Sequence, residues 1–278
     1  MSLPNGHAEV IIKAGAGDQK YWQDLWRYRE LLFILAWREF AVRYKQTAIG
    51  VAWAALRPLL TMAVLTLVFS VLAGLPSDGD TPYPLMVFAG MLPWYFFSSA
   101  LTSASDSLIA NASLVSKVYF PRLLVPAATI AVAAVDFGVA LGVMLLLMFA
   151  FHVLPPIQIL AVLPLALLTA LLALGPGLAL CALNVTYRDF RFVVPFIAQF
   201  GMYLCPIGFS SSIVPEQFKL LFELNPMVGI IEGFRWALLG IGAFPARSLA
   251  ISLLSAVLLI YVGLRFFRHT ERTFADVI

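Results

Sequence analysis

LLVPAATIAVAAVDFGVALGVMLLLMFAFHVL, residues 123–154, carries a single charged residue, Asp136. An α-helix rises about 1.5 Å per residue, so about 20 apolar residues cross the hydrocarbon of a bilayer, and this stretch reads as a transmembrane helix. Five more stretches pass the same test on either side of it: 53–75 and 85–108 before, then 157–183, 192–213 and 249–267 after. Hydrophobic residues make up 62% of the 278 and charged ones 12%, more apolar surface than a soluble core of this length can hide.

The basic residues fall on alternate sides of these spans. Lys13, Lys20, Arg27, Arg29, Arg38, Arg43, Lys45 and Arg57 precede or open the first, Lys117 and Arg122 follow the second, Arg188 and Arg191 follow the fourth, and Arg265, Arg268 and Arg272 close the chain. Lys219, Arg235 and Arg247 lie on the other side. The positive-inside rule then puts both termini and the loops after spans two and four in the cytoplasm, and the expected location is the cytoplasmic membrane, multi-pass. The net charge of +3 reflects these flanks. No basic patch interleaved with stacking aromatics appears, so nucleic acid is not an expected partner.

Ahead of span one, Trp22, Trp26, Phe33, Trp37, Phe40 and Tyr44 recur at three-, four- or seven-residue steps, with Asp24, Arg27, Glu30 and Arg38 between them. That pattern predicts an amphipathic, aromatic-rich helix at the membrane interface, either a plain anchor or an anchor with a docking face. In the loop after span two, Asn111 or Ser113 is placed to cap a short helix and Pro121 to stop one. The stretch 210–245 holds two short apolar pieces, 218–224 and 227–239, broken at Asn225-Pro226. Neither crosses alone and Glu223, Glu232 and Arg235 are costly in lipid, so the reading is a re-entrant pair of half-helices, with a surface hairpin as the alternative. The expected fold is an all-α integral membrane protein: a flexible cytoplasmic tail (1–20) with no cleaved signal, an amphipathic interface helix (21–47), and a transmembrane domain (48–278) of six helices with a re-entrant helical pair between helices five and six.

Catalytic chemistry is hard to find. The three histidines are far apart and Cys181 and Cys205 lie within spans, which argues against a metal-ligand set or a disulfide framework. No G-x-x-x-x-G-K-[ST] loop occurs, so this chain binds no ATP by a P-loop. Asp136 lies thirteen residues beyond Leu123, about 20 Å along its helix. An intramembrane acid marks a hydrogen bond to a neighbouring helix, a water-filled wall or a proton-linked step.

The run Leu35-Ala36-Trp37-Arg38-Glu39-Phe40, then Arg43-Tyr44-Lys45-Gln46-Thr47-Ala48-Ile49-Gly50-Val51-Ala52-Trp53 and Arg57-Pro58, resembles the N-terminal signature of ABC-2 type transport permeases. The run Gly90-Met91-Leu92-Pro93-Trp94-Tyr95-Phe96-Phe97, the loop 111–122, the Tyr187-Arg188-Asp189 turn and the Asn225-Pro226-Met227 break are similar to the subgroup that exports O-antigen, capsular polysaccharide or teichoic acid.

The resemblance implies a homodimer bound to two copies of a cytoplasmic ATPase, moving a polyprenyl-linked polysaccharide. ATP and Mg would sit on the ATPase, with no cofactor in this chain. Ser116, Lys117, Tyr119, Phe120 and Arg122 would couple to the ATPase, the charges by hydrogen bonds and the rings as an apolar plug. Arg38, Arg43, Lys45 and Arg57 would meet a substrate pyrophosphate or anionic membrane lipids. Trp94, Tyr95, Phe196, Phe200 and Tyr203 are candidates to line the sugar path by stacking, and packing or an interface belt explains single rings equally. A proton-coupled secondary transporter and a membrane-embedded polyprenyl-phosphate glycosyltransferase are the alternatives.

Overall fold

The computed structural model describes residues 18–45, 52–79, 81–187, 189–271 and 274, with the side chains of 18–20 excepted. The tail 1–17, the signature residues Gln46 to Val51, and Arg188 and Arg272 lie outside the described residues. Every element among the described residues is helical. In chain order they are α1 (Asp18–Arg27), α2 (Arg29–Lys45), α3 (Ala52–Thr66, continued by a π-helical stretch Leu67–Leu72), α4 (Tyr83–Ala110), α5 (Ala112–Lys117), α6 (Leu124–Ala150), α7 (Val162–Thr186, led by a 3₁₀ turn Ile157–Ala161), α8 (Phe190–Gly201, extended by Met202–Leu204), α9 (Glu216–Glu223), α10 (Pro226–Leu239) and α11 (Ala246–Thr270).

Among the described residues, five helices are long and apolar enough to cross a membrane: Ala52–Leu72, Tyr83–Ala110, Leu124–Ala150, Ile157–Thr186 and Ala246–Thr270. They match five of the six expected spans. The span expected at 192–213 is different, because its helix is shorter, Phe190–Leu204, or about 22 Å. Pro206 ends it, having no N–H for the helical ladder. The two pieces of 210–245 also part company: α9 buries nothing, whereas α10 is enclosed along most of its length, packed on α4, α7 and α11. They are not a symmetric pair.

The centre of the bundle is α4. Of its most apolar stretch 72% is buried, against 11–28% for the other four long helices, which leave their apolar flanks for lipid. Its small residues, Ala89, Gly90, Ala100 and Ala104, let neighbours approach on several sides. The expected interface helix 21–47 is divided at Tyr28 into α1 and α2. Leu35 of α2 packs in a cluster with Leu108, Val115 and Leu124, and Arg43 and Tyr44 reach Asp136. That is an advance of about 14 Å on α2 and about 18 Å on α6, so α2 climbs beside α6 instead of lying across the bundle's end.

Helices α7 and α11 touch backbone to backbone. A Cβ added to Gly263 would stand 2.0 Å from the Gly175 carbonyl oxygen, and one added to Gly175 would stand 2.5 Å from the Leu259 carbonyl carbon. With lipid as apolar as leucine, such close packing is what holds helices together. Gly263→Val and Gly175→Val are therefore expected each to destabilise the bundle by at least the ~1–3 kcal/mol of core overpacking, since the obstacle is backbone and cannot rotate away. Buried Cys181 and Cys205 provide the readout through thiol labelling during a thermal ramp. Transitions within a degree of wild type would sink this account of the contact.

Candidate functional site

A cavity of about 310 Å³ opens between α2, α3, α4 and α6, lined by Arg43, Tyr44, Trp53, Arg57, Tyr95, Ser99 and Asp136, with apolar walls from Leu92, Phe96 and Phe137. Sequence reasoning named Arg43, Arg57, Tyr95 and Asp136 for three separate roles, and they share this space. Asp136 is bound from α2, with the Arg43 guanidinium 2.8 Å from its Oδ2 and the Tyr44 hydroxyl donating to its Oδ1. Such partners reduce the cost of a carboxylate within a span. Tyr95 donates to the Thr61 hydroxyl at 2.8 Å, tying α4 to α3. Arg57 lies exposed at the rim. Arg38 stands away from the cavity, donating to the Asn111 side chain and to Glu39 Oε1 at 2.9 Å, and Lys45 is exposed.

The end of the bundle that carries the last turn of α11 also carries α1, α5 and the loop into α6. Asn111 holds the N-cap position of α5 but does not cap it, because its side-chain oxygen accepts from Arg38 while its amide donates to the Ser107 carbonyl at 2.9 Å and to Glu39 Oε1 at 3.2 Å. Ser116, Lys117, Val118 and Tyr119 stand exposed, Tyr119 at 63%. Phe120, expected in an exposed plug, is instead buried at 4% among Leu35, Leu124, Phe267 and Phe274. Arg122 is turned inward as well. Its amide donates to Glu271 Oε1 at 3.1 Å, its guanidinium to the Glu271 carbonyl at 2.5 Å, and its cation lies 5.8 Å from the Phe274 ring centre. Arg268 stacks over Tyr21 at 4.6 Å, bringing α1 into the same cluster. Burial raises the Glu271 carboxyl above the usual carboxylate range, against the pull of the Arg122 amide and guanidinium.

The expected aromatic lining separates into three settings. Trp94 is 5% exposed, packed 5.7 Å from Phe97 and against Gly201 of α8. Tyr95 faces the cavity. Phe196 and Phe200 stack at 4.2 Å on the open face of α8, and Tyr203 follows them at 61% exposure.

At the other end of the bundle, residues 205–210 are largely buried and not helical. Arg235, 3% exposed, donates from Nη1 to the Phe209 carbonyl at 3.1 Å and from Nη2 to the Ile207 carbonyl at 3.0 Å. Tyr83 donates to the Gly208 carbonyl, and Asn225 to that of Leu204 at 3.2 Å. Sequence reasoning missed this arrangement and the Glu271 and Phe274 contacts. The signal for the first was visible in Arg235, a cation within an apolar piece that must meet something polar. The second had none, its partners lying some 150 residues apart (271 − 122 = 149).

These features belong to a recognised class of membrane protein: residues 30–239 match the ABC-2 type transporter family, and the chain belongs to it. The chain is 25% identical over 250 residues to the O-antigen export system permease protein RfbA of Klebsiella pneumoniae, covering 90% of this chain and 95% of that one. It is 27% identical over 215 residues to RfbA of Myxococcus xanthus (77% and 82% covered), and 25% identical over 250 residues to the polysialic acid transport protein KpsM of Escherichia coli (87% and 93% covered).

The Arg43–Asp136 pair generates a prediction. Asp136→Leu alone strands the Arg43 charge and lowers the thermal transition, whereas Asp136→Leu with Arg43→Met recovers part of the loss. Breaking a buried pair costs about 3–5 kcal/mol, an upper bound here because the Arg43 side chain is 43% exposed. A double variant as unstable as the sum of the single variants would show that the two charges do not interact.

Proposed function

We propose that the chain is the permease subunit of an ATP-driven exporter that moves a polysaccharide, most simply a lipid-linked O-antigen, across the cytoplasmic membrane. Two copies of the chain work with two copies of a separate ATPase, which supplies the ATP and Mg sites. The observation that carries the reading is the near full-length likeness, over 90% of the chain, to a permease named for O-antigen export. The secondary-transporter reading needs an acid with a relay. Asp136 is instead held by an arginine and a tyrosine, and among the described residues it is the one carboxylate lining the cavity.

On this reading the chain crosses six times. The fifth crossing is the broken stretch 190–210, supported by its start just after the cytoplasmic end of α7 and its finish beside Tyr83 at the opposite end of α4. The chain termini, α5 and the last turn of α11 face the cytoplasm. Arg57 and Lys45 are the cations on this side that reach a substrate phosphate, since Arg38 and Arg43 are engaged within the protein. Ser116, Lys117 and Tyr119 form the ATPase contact, while Phe120 and Arg122 fix the loop from behind.

Two experiments test this. Single cysteines at Ser77 and Ser212 are expected to react with an impermeant thiol reagent in intact cells, and one at Ser116 only after the membrane is opened. Reaction at Ser116 in intact cells overturns the orientation. In the second, the chain is purified with and without the ATPase encoded beside it, and association and ATP hydrolysis are measured. Lys117→Glu with Tyr119→Ala is expected to weaken association at least tenfold with an unchanged thermal transition, whereas Arg122→Glu lowers the transition itself. Tight association by the Lys117, Tyr119 variant would move the contact elsewhere.

A further inference from the structure

A second and larger cavity, about 470 Å³, lies at the end of the bundle away from the α5 loop. Its walls come from four places in the chain: Asp78 and Gly79 after α3, Ser210 to Ser212, Glu232 and Arg235 of α10, and residues 241–243 and 245 before α11. Its volume falls within the range of about 300–1,000 Å³ typical of small-molecule sites. The wall chemistry is dense for its size. Two carboxylates, a guanidinium and three hydroxyls converge on it, and Gly79, Gly242 and Ala243 leave the opening unobstructed.

Several of these groups are unspent. Arg235 uses both terminal nitrogens on the carbonyls of 207 and 209, with Nη1 also 3.7 Å from Asp78 Oδ2, yet its Nε is buried with no hydrogen-bond partner among the described residues. The Ser211 hydroxyl is buried and unpartnered in the same way. Glu232, one turn before Arg235, acts on it through charge but makes no hydrogen bond or close ion pair among the described residues. By contrast Ser210 and Ser212 are hydrogen-bonded to each other at 2.7 Å. A buried donor left without a partner is costly, and two in one cavity wall, beside a carboxylate that makes no hydrogen bond among the described residues, point to something polar that joins them.

We propose that this cavity is a binding site for one neutral or aminated sugar unit. A pyranose carries adjacent hydroxyls that each donate and accept. Glu232 and Asp78 accept from such hydroxyls, and the Arg235 Nε–H and Ser211 hydroxyl donate to them or to a ring oxygen. Two carboxylates against one guanidinium leave the walls with a charge of −1, which favours a neutral or amino sugar and repels a uronic or sialic acid. The inference rests on the exporter reading and extends it, giving the outer end of the path a preference by charge that stacking on aromatic rings does not supply.

The test uses the permease with its ATPase in nanodiscs and saturation-transfer NMR with methyl α-mannoside, glucosamine and glucuronate, alongside polymer export by cells carrying each variant. Mannoside and glucosamine are expected to bind and glucuronate not to. Glu232→Gln and Ser211→Ala are each expected to weaken binding about tenfold, the effect of losing one hydrogen bond to or from a strongly polar site. Ala243→Tyr, at the exposed mouth, abolishes it by filling the cavity. Elution volume and thermal transition, matched to wild type, certify that each variant is folded. Absence of sugar binding by the wild type, equal binding by all variants, or binding of calcium or magnesium in place of sugar overturns the site, and with export intact leaves the exporter reading standing. Sugar binding lost in the variants while the wild type exports no polymer supports the site and sinks the exporter reading instead.

Discussion

The structure depends on how six residues of buried, irregular backbone, 205–210, are kept hydrogen-bonded. Inside a membrane protein no water is at hand for a carbonyl that leaves its helix, and each orphan costs several kcal/mol, about 2–7 by transfer measures. Arg235 meets two of these carbonyls, Tyr83 a third, and Asn225 the carbonyl just before them. The donors come from α10, the start of α4 and the cap of α10, so satisfying the break also fixes three elements against one another. Asn225 does double service, its side-chain oxygen accepting from the Met227 amide to cap α10. An enclosed arginine is tolerated here because its own charge is distributed over these carbonyls and Asp78.

From that constraint the burial pattern of the bundle follows. With the break covered, α10 can sit inside against α4, α7 and α11, where Gly229 lets the Ser248 backbone approach and the Ser252 hydroxyl bonds the Pro226 carbonyl at 2.6 Å. Helix α4 becomes the enclosed centre, and α3, α6, α7 and α11 take the lipid. The glycine contact of α7 and α11 completes the frame through shape alone.

The opposite end is organised by apolar packing and charge together. Phe120, Phe267 and Phe274 form a small core under the α5 loop, and Arg122 is locked to Glu271. The α5 loop rests on a packed base. Here the base is made by the two ends of the chain, α1 and the residues after α11, while Ser116, Lys117 and Tyr119 project from it.

By itself the sequence determined the class of the protein and the five helices long and apolar enough to cross a membrane, because apolar length is a local quantity read along the chain. The shortened α8 was partly legible in Pro206, yet apolar residues continue past it and masked the break. Membership of the candidate site was legible one residue at a time: Arg43, Arg57, Tyr95 and Asp136 stood out by type and depth. Only the tertiary structure decided that they share a cavity, that Arg43 is committed to Asp136, that Phe120 and Arg122 face inward, and that Glu232, Arg235 and Ser211 enclose a second polar space. The reason is physical: in a membrane the apolar period no longer separates inside from outside, since lipid and core accept the same side chains, and which polar group meets which depends on helix contacts far apart in the chain.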